Sequence, residues 1–216
     1  MVFGYDPLYL VGTLVALALL PFLAAMVTSY LKIVVVLSLL RNALGIQQIP
    51  PNTVLNGLAI ILSVYIMAPA FQDAYNRGAA VYKPDMQIWE QRQVLEAAQK
   101  PFQDFFKKFS RTQSIAFFKG TAEQMWPAAQ AAELKEDNLL VLVPAFVVSE
   151  LTSAFQIGFL IYLPFIAIDI IVSNILLAMG MMMVSPMTIS LPFKLLLFVL
   201  IDGWTRLIHG LVLTYV

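Results

Sequence analysis

The sequence contains no cysteine and a single histidine, and charged residues make up only 12% of its 216 residues. The lack of cysteine excludes disulfides and cysteine-ligated metal sites. The lone histidine, His209, cannot form a histidine cluster and is expected to be a packed residue. No HExxH, GxSxG or phosphate-binding glycine loop is present, so the sequence does not predict an enzyme. The formal net charge is zero, which gives no electrostatic reason to expect nucleic-acid binding. We expect no metal or other cofactor.

Hydrophobic residues make up 60% of the chain, whereas soluble domains contain roughly 45–50%. Residues 8–31 and 54–71 carry no charge, and runs of about 18 residues or more are long enough to span a bilayer as a helix. The first run is too long for the hydrophobic part of a signal peptide and no Lys or Arg precedes it, so we expect it to be retained. The composition indicates an integral membrane protein or an obligate partner in a hydrophobic assembly.

Charge divides the chain into three parts. Residues 1–71 are predicted to form an N-terminal hydrophobic helical hairpin, with a kink at Pro21 and a turn at Gly45 and Pro50-Pro51. Residues 72–137 hold nine acids and nine bases and are predicted to be a polar helical segment. Residues 138–216 form a second hydrophobic part, in which prolines and glycines favour discontinuous helices and re-entrant turns.

The polar segment is predicted to contain several short helices. Asp85 can cap a first helix to about Gln99, Pro101 suits the first turn of a second, and Gly120 should end that one. Thr121 is then placed to cap a third helix. Four phenylalanines of the second helix share one face, and we expect that face to pack in a core rather than to dock a partner: Phe102, Phe105, Phe106 and Phe109.

Six charges lie within the apolar runs of these parts, three of each sign: Lys32, Glu150, Asp169, Lys194, Asp202 and Arg206. Each costs about 2.5–3.5 kcal/mol at the centre of a membrane helix, so we expect each to find a partner. Asp202 and Arg206 have the i, i+4 spacing of a local pair on one helix. Glu150 and Asp169 are separated by roughly 28 Å along a straight helix and cannot form one carboxylate dyad unless the chain folds at Pro164. Intramembrane acids raise the alternative of a proton relay, but structural ion pairs between helices or subunits are favoured.

Three blocks carry a resemblance to a known family. PAFVVSELTSAFQIG (residues 144–158), PFKLLLFVLIDGW (residues 192–204) and LRNALGIQQIPPNTVLNGLA (residues 40–59) resemble the FliP/SctR (YscR/SpaP-like) family. These are membrane proteins of the export apparatus in bacterial type III secretion systems, both flagellar and injectisome. The resemblance covers most of the chain outside the polar segment.

The resemblance implies an all-α subunit of a helical, pore-forming homo-oligomer, expected to be a pentamer. It implies small partner subunits of the FliQ/SctS and FliR/SctT types, further partners of the FlhB/SctU and FlhA/SctV types, and unfolded polypeptides as the exported cargo. The assembly would sit in the bacterial inner membrane, raised toward the periplasm, with residues 72–137 on the periplasmic side. The alternative function is a multipass, ion-coupled transporter that uses the intramembrane acids.

A methionine cluster lies between two hydrophobic runs: Met179, Met181, Met182 and Met183. From the sequence alone, ordinary core filling is the favoured interpretation. The resemblance instead implies a gasket around the export pore, because flexible and polarisable methionine can both seal and deform. Gly180 and Pro186 would hold this loop open.

Overall fold

The computed structural model describes residues 7–46, 48–83, 85–87 and 91–216, and the regular secondary structure in these ranges is all helical. The helices are α1 (Pro7–Met26), α2 (Tyr30–Leu44), α3 (Asn52–Val81), α4 (Gln91–Phe109), α5 (Thr112–Met125), α6 (Ala128–Ala132), α7 (Leu139–Ala178), α8 (Pro186–Leu200) and α9 (Gly203–Leu213). The predicted all-α class is confirmed. Within the described ranges, α3 and α7 are each long and apolar enough to cross a membrane. The bent pairs α1–α2 and α8–α9 would add two more spans if each pair acts as one.

The first hydrophobic run is two helices rather than one helix with a kink at proline. Pro21 lies inside α1, and the break comes later, between Met26 and Tyr30. There, the hydroxyl of Thr28 accepts a hydrogen bond from the Tyr30 N–H (3.3 Å). The chain therefore breaks at a point with no proline, whereas Pro21 lies within the continuous helix α1.

Helices α2 and α3 form an antiparallel hairpin, although the whole first hydrophobic run was expected to be its first arm. At its turn, Arg41 Nη1 donates to Asn52 Oδ1 (2.5 Å), and at its other end Ser29 Oγ donates to Ser63 Oγ (3.2 Å). Helix α3 continues without interruption past residue 71 to Val81. Its last turns carry the exposed i, i+4 pair Asp73–Arg77 and pack against α4, where Gly78 contacts Val94 and Ala98.

The helices of the polar segment begin and end at other residues than the sequence predicts. Pro101 lies within α4 and Gly120 within α5, so neither marks a helix boundary and Thr121 caps nothing. Pro101 is buried, and the apolar face around it is fixed by packing, which overrides a local helix-breaking preference. The predicted start of the first helix falls partly on residues 88–90, which lie outside the described residues.

The phenylalanine face of α4 packs into a core, as predicted. Phe106 is buried, and Phe102, Phe105 and Phe109 are partly buried against the same cluster. The partner surface includes Phe146 of α7, whose ring lies 5.0 Å from that of Phe106. This core is therefore shared between the polar segment and the first turns of α7.

Helix α7 is a continuous helix of 40 residues, although discontinuous helices were expected here. Pro144 and Pro164 both lie inside it. Neighbouring helices can compensate for the hydrogen bond that a proline removes, and α7 is supported by α2, α4, α5 and α8. Helix α2 lies beside it in a parallel sense, because Lys32 meets Glu150 and Leu39 meets Gly158. Contact at Gly158 is so close that an added Cβ would lie 2.2 Å from Leu39 Cδ1.

The true breaks in the C-terminal part are at residues 179–185 and at residues 201–202. The first is the methionine loop, which reverses the chain so that α8 returns along α7. The second bends α9 by 62° from α8. Phe198 packs tightly on Gly203 at this corner, where an added Cβ would lie 2.2 Å from the phenyl ring.

Candidate functional site

Two charged clusters are buried between the apolar helices. In the first, Lys32 Nζ lies 3.2 Å from Glu150 Oε1, and the two residues are 3% and 1% exposed. The hydroxyl of Tyr215 donates to the other carboxylate oxygen, Glu150 Oε2. Lys32 Nζ also lies 3.8 Å from the centre of the Tyr215 ring, a cation–π geometry. The carboxylate thus has partners from α2 and from the segment after α9.

Tyr215 also links this first cluster to the polar segment. Its ring stacks on Phe105 at 6.0 Å with an interplanar angle of 9°, and it meets Phe109 edge-on at 5.0 Å. Nearby, Lys108 Nζ donates to the Val216 carbonyl (3.3 Å). One aromatic side chain therefore joins α2, α7 and α4.

The second cluster lies farther along α7. Lys194 Nζ on α8 lies 2.6 Å from Asp169 Oδ2 and 3.2 Å from the carbonyl of Ala43 at the end of α2. Ser190 Oγ donates to Asp169 Oδ1 at 2.6 Å. The Lys194 side chain is 4% exposed and that of Asp169 is 34% exposed. This cluster fixes α8 against both α7 and α2.

In both clusters the acidic side chain lies next to a lysine, so its charge is neutralised, and the two acids do not lie together as a proton relay would need. Glu150 and Asp169 belong to separate clusters on one helix, each beside a lysine. A buried charge that loses its partner destabilises a fold strongly, by about 3–5 kcal/mol. Both clusters are therefore suited to fixing the positions of α2, α7 and α8. Among the described residues, no group of three or more His, Asp or Glu could hold a metal ion.

The structure does not pair Asp202 with Arg206, and the expectation of a local i, i+4 pair is corrected. Asp202 is not on a helix but precedes α9, with left-handed backbone angles (φ 52°, ψ 52°). Its carboxylate accepts a hydrogen bond from the Thr205 hydroxyl (3.0 Å). The left-handed backbone at Asp202 departs from the helical geometry that the i, i+4 expectation assumed.

The four methionines occupy the exposed turn between α7 and α8. Met179 is 65% exposed, Met181 44%, Met182 82% and Met183 100%, so none of them fills the core of the single chain. Gly180 has a left-handed φ of 74°, which glycine adopts without strain and which turns the chain out of α7. The loop presents a flexible apolar tip.

Beside the corner between α8 and α9 lies an apolar cavity of about 600 Å³. Its walls come from α2, α7, α8 and α9 and include Leu40, Phe165, Leu197, Leu207 and Arg206. Arg206 is the only charged residue of this lining. His209, expected to be packed, is exposed on α9, so that expectation was wrong.

Sequence reasoning missed two residues of these clusters, Tyr215 and Ser190. A tyrosine in an apolar stretch needs a partner for its hydroxyl when buried, and that signal could have pointed to Tyr215. Ser190 carries no comparable signal, because serine is tolerated in apolar helices without a specific partner.

Comparison with known proteins identifies the family. The FliP family profile matches residues 13–211, which include both buried clusters except Tyr215, together with the methionine loop. The chain belongs to the FliP family. Its curated relatives match it over nearly their full length, so the likeness to FliP proteins is not confined to the signature blocks.

Among these FliP-family relatives, the Yop proteins translocation protein R of Yersinia pestis is 56% identical over 213 residues, covering 97% of each chain. The hypersensitivity response secretion protein HrcR of Ralstonia nicotianae is 54% identical over 203 residues, covering 93% of this chain and 94% of the relative. The virulence protein YscR of Salmonella typhimurium is 49% identical over 210 residues, covering 97% of each chain.

Proposed function

We propose that this chain is a membrane subunit of a type III secretion export apparatus. The observation that carries the proposal is the match, at 49–56% identity and nearly full length, to relatives named for protein secretion, translocation and virulence. The apolar helices α3 and α7 agree with a place in or beside a membrane. The relatives are structural secretion components, which agrees with a role other than catalysis.

In this proposal the chain acts in several copies, five in the complete assembly. Large apolar side chains on α3, α7 and α8 are exposed in the single chain, among them Tyr65, Phe159, Ile171 and Val199. Apolar patches of this extent mark contacts with membrane or protein. Copies of this chain would pack with FliQ/SctS-type and FliR/SctT-type subunits and be joined by FlhB/SctU-type and FlhA/SctV-type subunits.

The proposed task is to enclose the gate through which unfolded polypeptides leave the cell. The exposed loop of Met179, Met181, Met182 and Met183 would line its constriction. The paired state of Glu150 and Asp169 favours this role over an ion-coupled transporter, because a carboxylate that binds a lysine is poorly placed to carry protons. The assembly would lie in the bacterial inner membrane, raised toward the periplasm, with residues 72–137 on that side.

Native mass spectrometry of the detergent-extracted protein tests the proposal, first alone and then co-expressed with its small export-apparatus partners. We expect a multi-copy complex that becomes more stable with the partners, together with loss of effector secretion when the chain is deleted. A monomer that binds none of these subunits, or a strain that secretes normally without the chain, would contradict the proposal.

A further inference from the structure

Asp202 and Arg206 lie at the corner between α8 and α9, and no residue in the described part of the chain gives either of them an opposite charge. Asp202 accepts a hydrogen bond from the Thr205 hydroxyl. The Arg206 guanidinium has no hydrogen-bond or ion-pair partner among the residues that the structure describes. Both side chains are exposed. By contrast, Lys32, Glu150, Asp169 and Lys194 all lie in the two buried clusters.

The surroundings make these two charges unusual. Val199 and Leu200, just before the corner, are each 73% exposed, and Arg206 is the only charged residue lining the apolar cavity beside α9. Charges on an apolar surface that becomes covered need partners, because removing a charge from water without one is costly. The corner is therefore incomplete in the single chain.

We propose that this corner is an interface between copies of the chain, in which Asp202 of one copy pairs with Arg206 of the next. The inference rests on the multi-copy assembly proposed above. A second copy fits because the corner carries one acid and one base, so an identical corner supplies both complements. In a head-to-tail arrangement, each copy offers Asp202 to one neighbouring copy and Arg206 to the other, so the same pair repeats between successive copies.

The left-handed backbone at Asp202 fits this arrangement. Asp202 precedes α9 with left-handed backbone angles, and its carboxylate accepts from the Thr205 hydroxyl rather than from the Arg206 guanidinium. The same turn leaves the apolar residues Val199 and Leu200 exposed next to the carboxylate. A neighbouring copy that reaches Asp202 would therefore also cover apolar surface, which stabilises association.

The absence of cysteine from the chain permits a direct test by crosslinking. Two differently tagged copies, one with Asp202→Cys and the other with Arg206→Cys, are co-expressed with the partner subunits and treated with a short bis-maleimide reagent. We expect a crosslinked product that carries both tags. As the matched control, Leu213→Cys replaces Asp202→Cys, because Leu213 is similarly exposed but lies at the far end of α9. A complex that assembles normally but gives no more crosslinked product than this control would overturn the inference.

Charge reversal gives a second, independent readout. Asp202→Arg and Arg206→Asp should each weaken association between copies about tenfold or more, as for close interfacial charge pairs, and the double reversal should restore it. If either single variant keeps the wild-type copy number, or if the double reversal restores nothing, the pair does not exist and Arg206 serves a lipid phosphate or another subunit. Failure of the wild-type chain itself to form a multi-copy complex would instead contradict the proposed function.

Discussion

At the scale of single residues, Tyr215 has the most diverse contacts of any side chain in the buried clusters. Its hydroxyl donates a hydrogen bond to Glu150, and the face of its ring makes a cation–π contact with Lys32. The same ring packs on Phe105 and Phe109. The hydrogen bond and the ring packing can be separated by two substitutions. Tyr215→Phe removes only the hydroxyl, whereas Tyr215→Ala removes the ring as well.

We predict a graded loss of stability for these two variants. Tyr215→Phe should cost about 1–3 kcal/mol, because one oxygen of a buried carboxylate loses its donor. Tyr215→Ala should cost about 3–5 kcal/mol, the range found for removal of a large core aromatic. The free energy of unfolding in detergent measures both. Equal stability of Tyr215→Phe and wild type would mean that the hydroxyl contributes nothing to holding Glu150.

The ion pair of Lys32 and Glu150 is best tested by a double-mutant cycle. Glu150→Ala leaves a buried lysine unpaired and should lower the free energy of unfolding by about 3–5 kcal/mol. We expect the oligomer yield to fall as well. Adding Lys32→Ala removes that unpaired charge, so we expect the double variant to recover part of the loss. The exposed pair Asp73–Arg77 serves as the control, because surface pairs contribute only about 0–1 kcal/mol. A strictly additive result at Lys32 and Glu150 would contradict their coupling.

At the scale of elements, the sequence predicted helix type well and helix boundaries poorly. Uninterrupted apolar runs indicated the α2–α3 hairpin, and the spacing of Phe102, Phe105, Phe106 and Phe109 identified a core face, because both signals depend on periodic burial. Pro101 and Pro164 were misleading, since tertiary packing carries a helix through a residue that would break it in isolation. Break points such as residues 201–202 depend on contacts such as Phe198 against Gly203, which no local pattern specifies.

The same limit applies to the candidate site. Composition predicted that the six charges need partners, and spacing excluded a dyad of Glu150 and Asp169 on a straight helix. Which lysine meets which acid depends on the parallel packing of α2 and α7, over a separation of 118 residues for Lys32 and Glu150. Local spacing suggested Asp202 with Arg206 and was wrong, because it assumed one helix where the chain has a corner.

The contact between α2 and α7 gives a prediction for a single glycine. Gly158→Ala would place a methyl group 2.2 Å from Leu39 Cδ1 and 3.2 Å from its Cβ and Cγ, so Leu39 or the helix must shift. Overpacking of this kind costs about 1–3 kcal/mol. We expect a matching fall in the free energy of unfolding, and partial recovery when Leu39→Ala is added.

Gly57→Ala on α3 is the matched control for this packing effect. Nothing lies within 4 Å of a Cβ added at Gly57, and alanine is favoured over glycine inside a helix by about 1 kcal/mol. We therefore expect Gly57→Ala to be neutral or stabilising. If Gly158→Ala were equally well tolerated, α2 and α7 would not be held as closely as Leu39 and Gly158 indicate.

At the scale of the whole molecule, the helices pack together around buried clusters, whereas large apolar surfaces elsewhere on the chain are exposed. The two buried clusters and the core around Phe106 and Phe146 hold α2, α4, α5, α7 and α8 together. The outer faces of α3, α7 and α8, the corner at Asp202 and the methionine loop remain open. These exposed apolar surfaces are the ones that the proposed assembly would cover.

The methionine loop is where repetition of the chain should matter most. In the proposed multi-copy assembly, Met181, Met182 and Met183 from every copy meet at one constriction, although each is exposed in the single chain. A dry apolar constriction resists ions because they would lose their water on entering it. Replacing all three with alanine removes side-chain volume from each copy at once, so a modest local change widens the whole opening.

We predict that the triple alanine variant assembles at normal yield but conducts small ions, because the loop lies outside the buried clusters that hold the fold. Replacement by isoleucine should keep the seal and impede secretion, since β-branched side chains are stiff and adapt less readily than methionine to a passing chain. Single-channel conductance of the purified complex in planar bilayers, measured beside secretion by the same variants, checks both outcomes. Met26→Ala is the control, because Met26 is 54% exposed at the end of α1 and far along the chain from the loop. If the triple alanine complex forms normally and conducts no more than wild type, the constriction is built from other residues.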